Sequence, residues 1–483
     1  MTSANGSKSS VLHRAKSAMD DEFLRKAVRF TTDRLRNKKL AVTESFGNWE
    51  TWRERGEQIR THTIANLDAY LNQFTENLEA LGAHVHFAAD AAEAVDAVKS
   101  VVREKKAKRV VKSKSMVSEE IHINHHLEKD GVAVIETDLG EYIIQLAHET
   151  PSHIIIPAIH KNREQIRDLF EGDGGENLST ETRDLTAFAR RRLREAFLTA
   201  DIGITGCNFG IAQTGSIVLF TNEGNADMVM NLPKTHIVIM GMERILPTLK
   251  DLEVMAHLLP KSATGQNVIT YMSMVTGPRR MADLDGATDM HVIILDNGRS
   301  DQLGDEQFQK VLNCIRCGAC LNVCPVYRQI GGHAYGSVYP GPIGAVLSPR
   351  LYEGEEYRDL PYASSLCGAC FEACPVRIPL HDMLVHQRQR QVQQGYRKNA
   401  EAMMMNGYRQ VFSKPARYKL SIKIARGLQR PFVREGKIQA RIGPLVGWTS
   451  SRDFPAIPKK SFRDLWPELA QQPVQEAKPH EQD

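Results

Sequence analysis

The stretch CIRCGACLNVCP, residues 314–325, decides the fold of the second half of this chain. Its spacing, C-x2-C-x2-C-x3-C-P, is the one with which bacterial-type ferredoxins hold iron–sulfur clusters. A shorter copy, CGACFEACP, occupies residues 367–375. The proline that ends each block fixes φ and turns the chain away, so the cysteine before it is expected to face the cluster of the other block. The two blocks therefore predict one domain with two iron–sulfur clusters and crossed ligation.

Crossed ligation divides the seven cysteines of the two blocks into two groups of predicted cluster ligands. The first group is Cys314, Cys317, Cys320 and Cys374, and the second is Cys324, Cys367 and Cys370. Gly318 and Gly368 lie at matching places and, because they lack a Cβ, let the backbone pass close to inorganic sulfur. Structural zinc usually takes two separated C-x2-C pairs, so four cysteines in one run before a proline favour iron–sulfur chemistry.

The second block lacks one cysteine. A complete motif would have cysteine at position 364, where this chain has Ser364. The second cluster thus has three evident thiolates. It is either a [4Fe-4S] cluster with a fourth ligand from oxygen, water or elsewhere, or a [3Fe-4S] cluster, and we favour two [4Fe-4S] clusters. The remaining cysteine, Cys207, lies far away in sequence.

The composition of the whole chain limits the classes of function. With 483 residues it is long enough for two or three domains. A formal net charge of +4 is close to balance and indicates no nucleic-acid partner for the chain as a whole. The sequence shows no apolar signal-peptide core and no apolar run as long as a membrane span. Because seven cysteines committed to clusters need a reducing compartment, we expect a cytoplasmic protein, with any membrane contact peripheral, at the inner face.

Two regions precede the cysteine blocks. Residues 1–60 are predicted to form a helical accessory region, with a helix over residues 20–38. Residues 61–300 are predicted to form an α/β domain that begins with a helix from Ile64 to Leu81, closed by Gly82. Several extended stretches are continuously apolar, so we expect a mainly parallel sheet with helices on both sides. The predicted strands are 83–87, Arg109–Val111, Val132–Glu136, His153–Ile159, Ser216–Thr221, His236–Met240 and His291–Leu295.

The same α/β domain offers candidate ligand loops at strand ends. It has no G-x-G-x-x-G and no G-x4-G-K-[ST], so neither the dinucleotide nor the P-loop fingerprint is present. Two glycine-bearing loops, residues 203–216 and 222–225, are candidates for a ligand crevice, with tight strand connections as the alternative. Residues 112–115, KSKS, follow a strand and either bind an anion such as a carboxylate or form a solvated loop. The carboxylates of residues 136–141 either serve acid–base chemistry or cap a helix. No catalytic residue is identified.

Residues 303–385 are predicted to form an α-helical dicluster ferredoxin domain. The blocks lie much further apart than in a minimal ferredoxin, and helices are predicted over residues 305–313 and 380–394. Arg316, Arg328 and Arg377 lie next to cysteines. Because a thiolate-bound cluster is net negative, they either raise its reduction potential or only solvate the surface.

Residues 390–483 form a basic C-terminal region. Nine lysines and arginines lie between residues 414 and 441, with Glu435 as the single acid. This stretch, predicted to be helical, favours docking to an acidic partner subunit, and an anionic membrane surface and a solvated helix are the alternatives. The polar tail after Pro473 is predicted to be disordered.

Several longer segments resemble a known family. Three of them resemble the LUD domain of lactate utilisation proteins: ETDLGEYIIQLAHE (136–149), PSHIIIPAIHKNR (151–163) and GITGCNFGIAQTGSIVLFTNEGNADM (203–228). Over about residues 20–465 the chain resembles the lactate utilisation protein B family, through these segments, the cysteine blocks, GSVYPGPIGAVLSP (336–349) and GWTSSRDFPA (447–456). The resemblance implies an α/β fold of the isomerase and CoA-transferase type and cluster ligation by the seven cysteines. The family shares the missing cysteine at position 364, and it implies no lactate-binding residue.

The resemblance implies an iron–sulfur electron-transfer subunit of a three-component bacterial system that oxidises L-lactate to pyruvate and allows growth on lactate. Its implied partners are an iron–sulfur protein with Cys-Cys-Gly motifs and a second LUD protein. Two clusters side by side can take two electrons in sequence, whereas no flavin or nicotinamide site is recognisable. An alternative is a LUD ligand-binding or acyl-transfer module whose clusters act as a redox sensor or structural element. A weaker alternative is an iron–sulfur nucleic-acid protein that uses the basic tail.

Overall fold

The computed structural model describes residues 10–352, 354–396, 399–438, 446–449 and 452–470. The chain divides into two compact units, Met1–Gln391 and Val392–Asp483. None of the described helices has both the length and the apolar composition of a membrane span. The tail that the sequence predicts to be disordered lies outside the described residues.

The first unit contains both α-helices and β-strands. Its helices are α1 (Val11–Asp20), α2 (Glu22–Phe46), α3 (Trp49–Ala65), α4 (Leu67–Ala80), α5 (Ala91–Glu104), α6 (Met116–Glu120), α7 (Ile123–Lys129), α8 (Leu139–Leu146), α9 (Arg163–Gly172), α10 (Thr182–Thr199), α11 (Asn225–Asn231), α12 (Leu249–Ala263), α13 (Arg299–Leu303), α14 (Ala319–Val323), α15 (Tyr327–Ile330), α16 (Gly341–Leu351), α17 (Glu355–Arg358), α18 (Ala369–Ala373) and α19 (Leu380–Gln393). Its strands are β1 (His84–Ala88), β2 (Arg109–Lys112), β3 (Ala133–Glu136), β4 (Ile202–Thr205), β5 (Phe209–Ile211), β6 (Ser216–Thr221), β7 (Thr235–Gly241), β8 (Ile245–Leu246), β9 (Tyr271–Val275) and β10 (Asp289–Leu295).

The centre of the first unit is a six-stranded sheet in the order β1-β10-β7-β4-β2-β3. All of its neighbouring strands run parallel. Alternate residues of the central strands belong to different apolar clusters. Ile237 and Ile293 share a cluster with residues of α5, whereas Val238 and Val292 share a cluster with residues of α12. Because both faces are buried, these strands are apolar throughout. The predicted α/β core with a parallel sheet is confirmed.

A second, four-stranded sheet has the order β8-β5-β6-β9, and its strands lie in the chain between β4 and β10 of the parallel sheet. β5 and β8 run parallel, whereas β5–β6 and β6–β9 are antiparallel. The sequence predicts β6 correctly but not its place in a separate sheet, because β5 and β8 are too short to show a period of two.

The predicted strand over His153–Ile159 is wrong, because this segment is an irregular loop. The buried Nδ1 atom of His153 accepts hydrogen bonds from the backbone N–H groups of Ile155 and Ile156, at 3.0 and 3.2 Å. The N–H of Ser152 donates to the carbonyl of Pro157, so the chain folds back on itself. The apolar run is buried against the cysteine blocks instead of a neighbouring strand.

The predicted loop over residues 203–216 is wrong at its start, because residues 203–205 lie in β4, in the middle of the parallel sheet. A Cβ on Gly203 would stand 2.0 Å from the carbonyl oxygen of Val229 in α11. Glycine is therefore required here for close helix–sheet packing and not for a turn. Residues 209–211 form β5, so only residues 206–208 and 212–215 of the predicted loop lie outside the strands.

Two predicted helices also differ. The helix over Ile64–Leu81 is interrupted at Asn66, whose φ of −124° and ψ of 33° separate α3 from α4. Residues 305–313 form turns and a 3-10 helix, Gln309–Asn313, and no α-helix.

The second unit is described by itself. Its elements are α20 (Asn399–Phe412), α21 (Pro415–Gln429), α22 (Val446–Thr449), α23 (Phe462–Leu469), β11 (Val433–Arg434), β12 (Lys437–Ile438) and β13 (Phe454–Pro455). The three strands form a small antiparallel sheet that the sequence does not predict. Much of the predicted basic stretch lies on α21, which has no buried residue.

Candidate iron–sulfur centre

The two cysteine blocks fold alike. Each runs into one short helix, α14 in the first block and α18 in the second, and these helices pack against each other. Gly318 and Gly368, which precede the helices, have φ values of 71° and 80°. Glycine adopts this left-handed conformation without the steric cost of a Cβ. The matched glycines therefore give both blocks the same path around a common centre.

The structure brings the first predicted group of cysteines together, although Cys374 comes from the other block. Burial and the charges of Cys374 and Cys314 raise the pKa of Cys317 to about 12. Burial likewise raises the pKa of Cys320. The charges of the other three cysteines of this group raise it further, as does the charge of Cys370. Cys314, Cys317, Cys320 and Cys374 also line one small cavity, so four thiols can lose their protons there and bind one metal centre.

The second predicted group also comes together across the blocks. Burial, followed by the charge of Cys324, raises the pKa of Cys370 to about 12, and Cys367 acts in the same direction. Cys370 and Cys324 are buried, whereas Cys367 is exposed. The arrangement is the crossed one that the sequence predicts, and ligation by these groups stays a prediction.

Ser364 occupies in the second block the place of Cys314 in the first. The backbone N–H of Arg316 donates to Cys314 Sγ at 3.4 Å, and that of Leu366 donates to Ser364 Oγ at 3.1 Å. Arg316 and Leu366 both have left-handed backbones, with φ values of 59° and 55°. The serine hydroxyl thus has the same local position in its block as the sulfur of Cys314 in the first block.

The last cysteine of each block accepts a matching hydrogen bond. The N–H of Tyr327 donates to Cys324 Sγ at 3.5 Å, and the N–H of Ile378 donates to Cys374 Sγ at 3.4 Å. Backbone donors aimed at sulfur stabilise the thiolate and tune a bound cluster.

Buried cations outnumber buried carboxylates beside the first group. Among the described residues, the guanidinium groups buried there are those of Arg53, Arg60, Arg244, Arg299 and Arg316, and the buried carboxylates are those of Glu120 and Glu243. Buried charges without partners are costly, so this imbalance favours an anionic group in the cavity lined by the first four cysteines. The donor set and the surrounding charge both fit an iron–sulfur cluster.

Helices α2 and α3 hold the second block through its backbone. Arg53 Nε donates to the carbonyl of Cys374 at 2.9 Å, and Arg53 Nη2 donates to that of Phe371 at 2.8 Å. Lys39 Nζ donates to the carbonyl of Ala373. These contacts place cations at the carbonyl end of α18, where helices favour them. Sequence reasoning missed them because they span more than 300 residues.

The three arginines predicted beside the cysteines have different environments. Arg316 is buried, its guanidinium lies 4.7 Å from the centre of the Tyr339 ring, and its Nη2 is 3.5 Å from Glu243 Oε1. Arg328 pairs with Asp33, and the half-exposed Arg377 lies 3.7 Å from Glu57. Arg316 is therefore the one of the three that belongs to the buried charge cluster.

Several candidate ligand loops of the α/β domain line one cavity of about 260 Å³. Ser113, Lys114 and Ser115 follow β2, and Gly206 and Cys207 follow β4. The loop at residues 222–225 and Asp138 also line it. This is the carboxyl edge of the parallel sheet, where open α/β sheets bind ligands. Burial raises the pKa of Cys207 to about 12, so its thiol is neutral.

Two of the predicted acid–base candidates lie outside this cavity. Glu136 Oε1 is 2.8 Å from the Nζ atom of the buried Lys112, and Glu141 lies near Lys114. Asp138 caps α8 and also lines the cavity. Arg244 and Arg316 line it as well, a contribution that no local sequence pattern indicates.

Family models match three parts of the chain. The LUD domain matches residues 71–295, the 4Fe-4S dicluster domain matches residues 310–378, and the C-terminal domain of lactate utilisation protein B matches residues 385–471. A solved structure of a DUF162 family protein from Deinococcus radiodurans overlaps 47% of this chain and 98% of its own, with 16% identity and a TM-score of 0.28, too low for a conclusion about the fold.

Curated relatives match nearly the whole chain. Lactate utilization protein B of Oceanobacillus iheyensis is 52% identical over 453 residues, which cover 94% of this chain and 95% of the relative. The proteins of that name from Macrococcus caseolyticus and Geobacillus kaustophilus are each 53% identical over 453 residues, covering 93% of this chain and 95% of theirs. With these identities and this coverage, the chain belongs to the lactate utilization protein B family.

Proposed function

We propose that this chain is the iron–sulfur electron-transfer component of a bacterial system that oxidises L-lactate to pyruvate. The observation that carries the proposal is the convergence of seven cysteines into two adjacent groups, each of which includes the last cysteine of the other block. A role in lactate utilization follows from the family, and the matched 4Fe-4S dicluster domain supports iron–sulfur cofactors.

In this proposal the two groups of cysteines hold two [4Fe-4S] clusters. The clusters would supply two neighbouring one-electron acceptors, which match the two electrons that lactate releases on oxidation to pyruvate. The first cluster would be held by Cys314, Cys317, Cys320 and Cys374, and the second by Cys324, Cys367, Cys370 and the hydroxyl oxygen of Ser364. The buried arginines around the first group stabilise negative charge there, which favours reduction.

The proposal includes partners and a location. The partners are an iron–sulfur protein with Cys-Cys-Gly motifs and a second LUD protein, and the protein is cytoplasmic. The exposed basic helix α21 of the second unit is a docking element for an acidic subunit or, as the alternative, for the inner face of the membrane. The division into residues 1–60, 61–300, 303–385 and 390–483 is also part of the proposal, and the ranges of the matched families support it.

The test of this function is reduction of the protein by lactate. The full chain, purified without oxygen and loaded with iron and sulfide, is mixed with its two partner subunits and L-lactate, and its visible absorbance and EPR spectrum are recorded. We expect bleaching and a reduced-cluster signal that require both L-lactate and the partners, with L-lactamide as the inert control. A protein that holds iron and sulfide but is never reduced under these conditions would refute the proposed function.

The cavity at the sheet edge favours one alternative function. An α/β domain of the isomerase and CoA-transferase type could bind a carboxylate or a CoA ester there, while the clusters sense redox state or support the fold. Under this alternative the ligand binds equally to the oxidised and the reduced protein. Calorimetry on both forms therefore separates the two functions.

Ser364 is expected to control the type of the second cluster. Ser364→Cys should give a complete set of four thiolates and a second cluster that resists oxygen, whereas Ser364→Ala should yield a [3Fe-4S] centre because the fourth iron loses its oxygen ligand. EPR distinguishes the products, because a [3Fe-4S] centre gives its signal when oxidised and a [4Fe-4S] centre typically when reduced. Ser365→Ala, at the adjacent position, is the control. Identical spectra for wild type and Ser364→Ala would exclude a serine ligand.

A further inference from the structure

The cavity at the carboxyl ends of β2 and β4 has hydrogen-bond donors without acceptors. We propose, on the basis of the function proposed above, that it binds a small organic acid whose carboxylate faces Lys114, Arg244 and Arg316 and whose neighbouring oxygen faces Ser113. The volume of about 260 Å³ lies just below the ~300–1,000 Å³ of sites for drug-sized ligands, so the cavity suits a smaller molecule.

Lys114 is the first anion-binding group. Its Nζ atom is buried and makes no hydrogen bond, and Glu141 Oε1 lies 3.8 Å away. Lys112, two residues earlier, differs, because its Nζ atom lies within 3.0 Å of oxygens of Ser118, Glu119 and Glu136. Of these two lysines, Lys114 is therefore the one whose charge is available to a ligand.

Arg244 and Arg316 supply the second and third cations. Both side chains are more than nine-tenths buried, both line the cavity, and the Nε atoms of both donate no hydrogen bond. They share the Oε1 atom of Glu243, at 3.6 and 3.5 Å, while the other oxygen of Glu243 binds Arg299 at 2.7 Å. Arg299 also binds Glu120 at 2.9 Å, so two carboxylates face three guanidinium groups, and positive charge remains beside the cavity.

The remaining walls of the cavity indicate which chemical groups of the ligand lie next to its carboxylate. The hydroxyl of Ser113 is buried, lines the cavity and has no hydrogen-bond partner, so it can bind a hydroxyl or keto oxygen of the ligand. Apolar walls come from Ile154, Leu219, Phe220, Leu259 and Pro260. A carboxylate with an adjacent oxygen on a short carbon chain, as in 2-hydroxy and 2-oxo acids, satisfies these donors and leaves no buried charge unpaired.

This cavity shares two wall residues with the cysteine cavity. Arg316 and Ile154 line both this cavity and the smaller one bounded by Cys314, Cys317, Cys320 and Cys374. A bound carboxylate and an electron on the first cluster would therefore compete for the same guanidinium charge. Because coupling between two sites is reciprocal, reduction weakens binding of the acid, and the acid lowers the reduction potential.

The binding test uses calorimetry on the full chain with its clusters assembled, without partner subunits. L-lactate and pyruvate should bind, and L-lactamide, which lacks the charge, should bind at least tenfold more weakly, by about 1.4 kcal/mol. Lys114→Gln should weaken the binding of both acids at least tenfold, while the iron content and the circular dichroism spectrum stay unchanged. Lys114→Arg should restore part of the lost affinity. Lys250→Gln, an exposed lysine of α12, is the matched control. Equal affinities in wild type and Lys114→Gln, or no binding of either acid, would overturn the proposal.

The redox arm separates this inference from the proposed function. Pyruvate should bind at least tenfold more weakly to dithionite-reduced protein, which corresponds to about 59 mV for a one-electron couple. Equal affinities of the oxidised and the reduced protein for pyruvate would show that the cavity and the first cluster are not coupled. If lactate and the partners reduce clusters in a chain that binds no acid, the inference fails and the function stands. If the acids bind but the partners never reduce the clusters, the function fails and the site stands.

Binding should weaken as the pH rises from about 6 to about 9. Burial and the charge of Asp138 raise the pKa of Glu223 to about 7. The hydrogen bond from the Leu139 N–H and the charge of Lys114 act in the opposite direction. Burial raises the pKa of Glu141 to about 8, with Glu119, Glu136 and Asp138 adding to it and Lys114 opposing it. Both carboxyls are neutral below these values, and above them their charges repel an acid that stays ionised throughout. Calorimetry across this range should show a smaller decline in Glu223→Gln, and an unchanged decline would contradict the role of Glu223.

Discussion

Replacing Cys374 with alanine will remove the first cluster, although this cysteine belongs to the second block. The reason is its place beside Cys314 and Cys317, which the packing of α14 against α18 brings about. We expect iron to fall from about eight to about four atoms per chain. The EPR spectrum of Cys374→Ala should then match that of Cys317→Ala, because both lose the same cluster.

The reciprocal variant completes the test of crossed ligation. Cys324→Ala lies in the first block, but its spectrum should match that of Cys370→Ala. Cys207→Ala, at a cysteine outside both groups, should keep the full iron content. If Cys374→Ala instead matched Cys370→Ala, each block would hold its own cluster, and the crossed arrangement would be wrong.

Replacing Arg299 with methionine will cause a large loss of stability. Its guanidinium binds both oxygens of Glu120 at 2.9 Å and Glu243 Oε2 at 2.7 Å, and all three side chains are buried. Removing one partner of a buried ion pair leaves uncompensated charge and costs about 3–5 kcal/mol. The melting temperature of the oxygen-free, cluster-loaded protein should fall by about 5 °C or more at a matched scan rate.

Two further variants identify the cause of that loss. Lys26→Met removes a surface pair with Glu22 whose side chains are 74% and 77% exposed, and it should change the melting temperature little. Arg299→Met combined with Glu120→Leu should recover part of the stability, because the stranded carboxylate is removed as well. A double variant that melts lower than Arg299→Met would show that packing, and not buried charge, explains the effect.

The same network predicts an acid limit for stability. Burial raises the pKa of Glu243, but the charges of Arg299, Arg244 and Arg316 outweigh it and hold that pKa near 2. A carboxyl whose pKa is lower in the folded than in the unfolded chain stabilises the fold above the unfolded value of about 4.3, and this contribution is lost as the pH falls towards 2.

Much of the cysteine centre could be predicted from the sequence, because the necessary information is local. The spacing of residues 314–325 and 367–375 specifies loops, short helices and the turn after each proline within a few residues. The parallel sheet was also predictable, since apolar runs such as His236–Met240 and His291–Leu295 reflect burial on both faces. The strand predicted over His153–Ile159 failed for the same reason, because a buried loop with its own hydrogen bonds has an equally apolar sequence.

The surroundings of the centre depend on contacts between distant residues. No local pattern relates Arg53 to Cys374, Arg244 to Cys314, or Arg299 to Glu120. The cavity likewise combines residues that follow β2, β4 and β6, and two of its cations, Arg244 and Arg316, come from other parts of the chain. Such constellations are set by the order of strands in the sheet and by the packing of helices, which periodicity and composition do not encode.

By itself, the sequence determined the iron–sulfur cofactor class and the α/β core, and it predicted the crossed grouping of the seven cysteines, because cysteine spacing and apolar runs are properties of short segments. Only the tertiary structure decided that buried arginines surround the first group and that Arg316 lines both the cysteine cavity and a cavity at the sheet edge. The physical reason is that charge and hydrogen bonding act through space between residues that the chain keeps far apart.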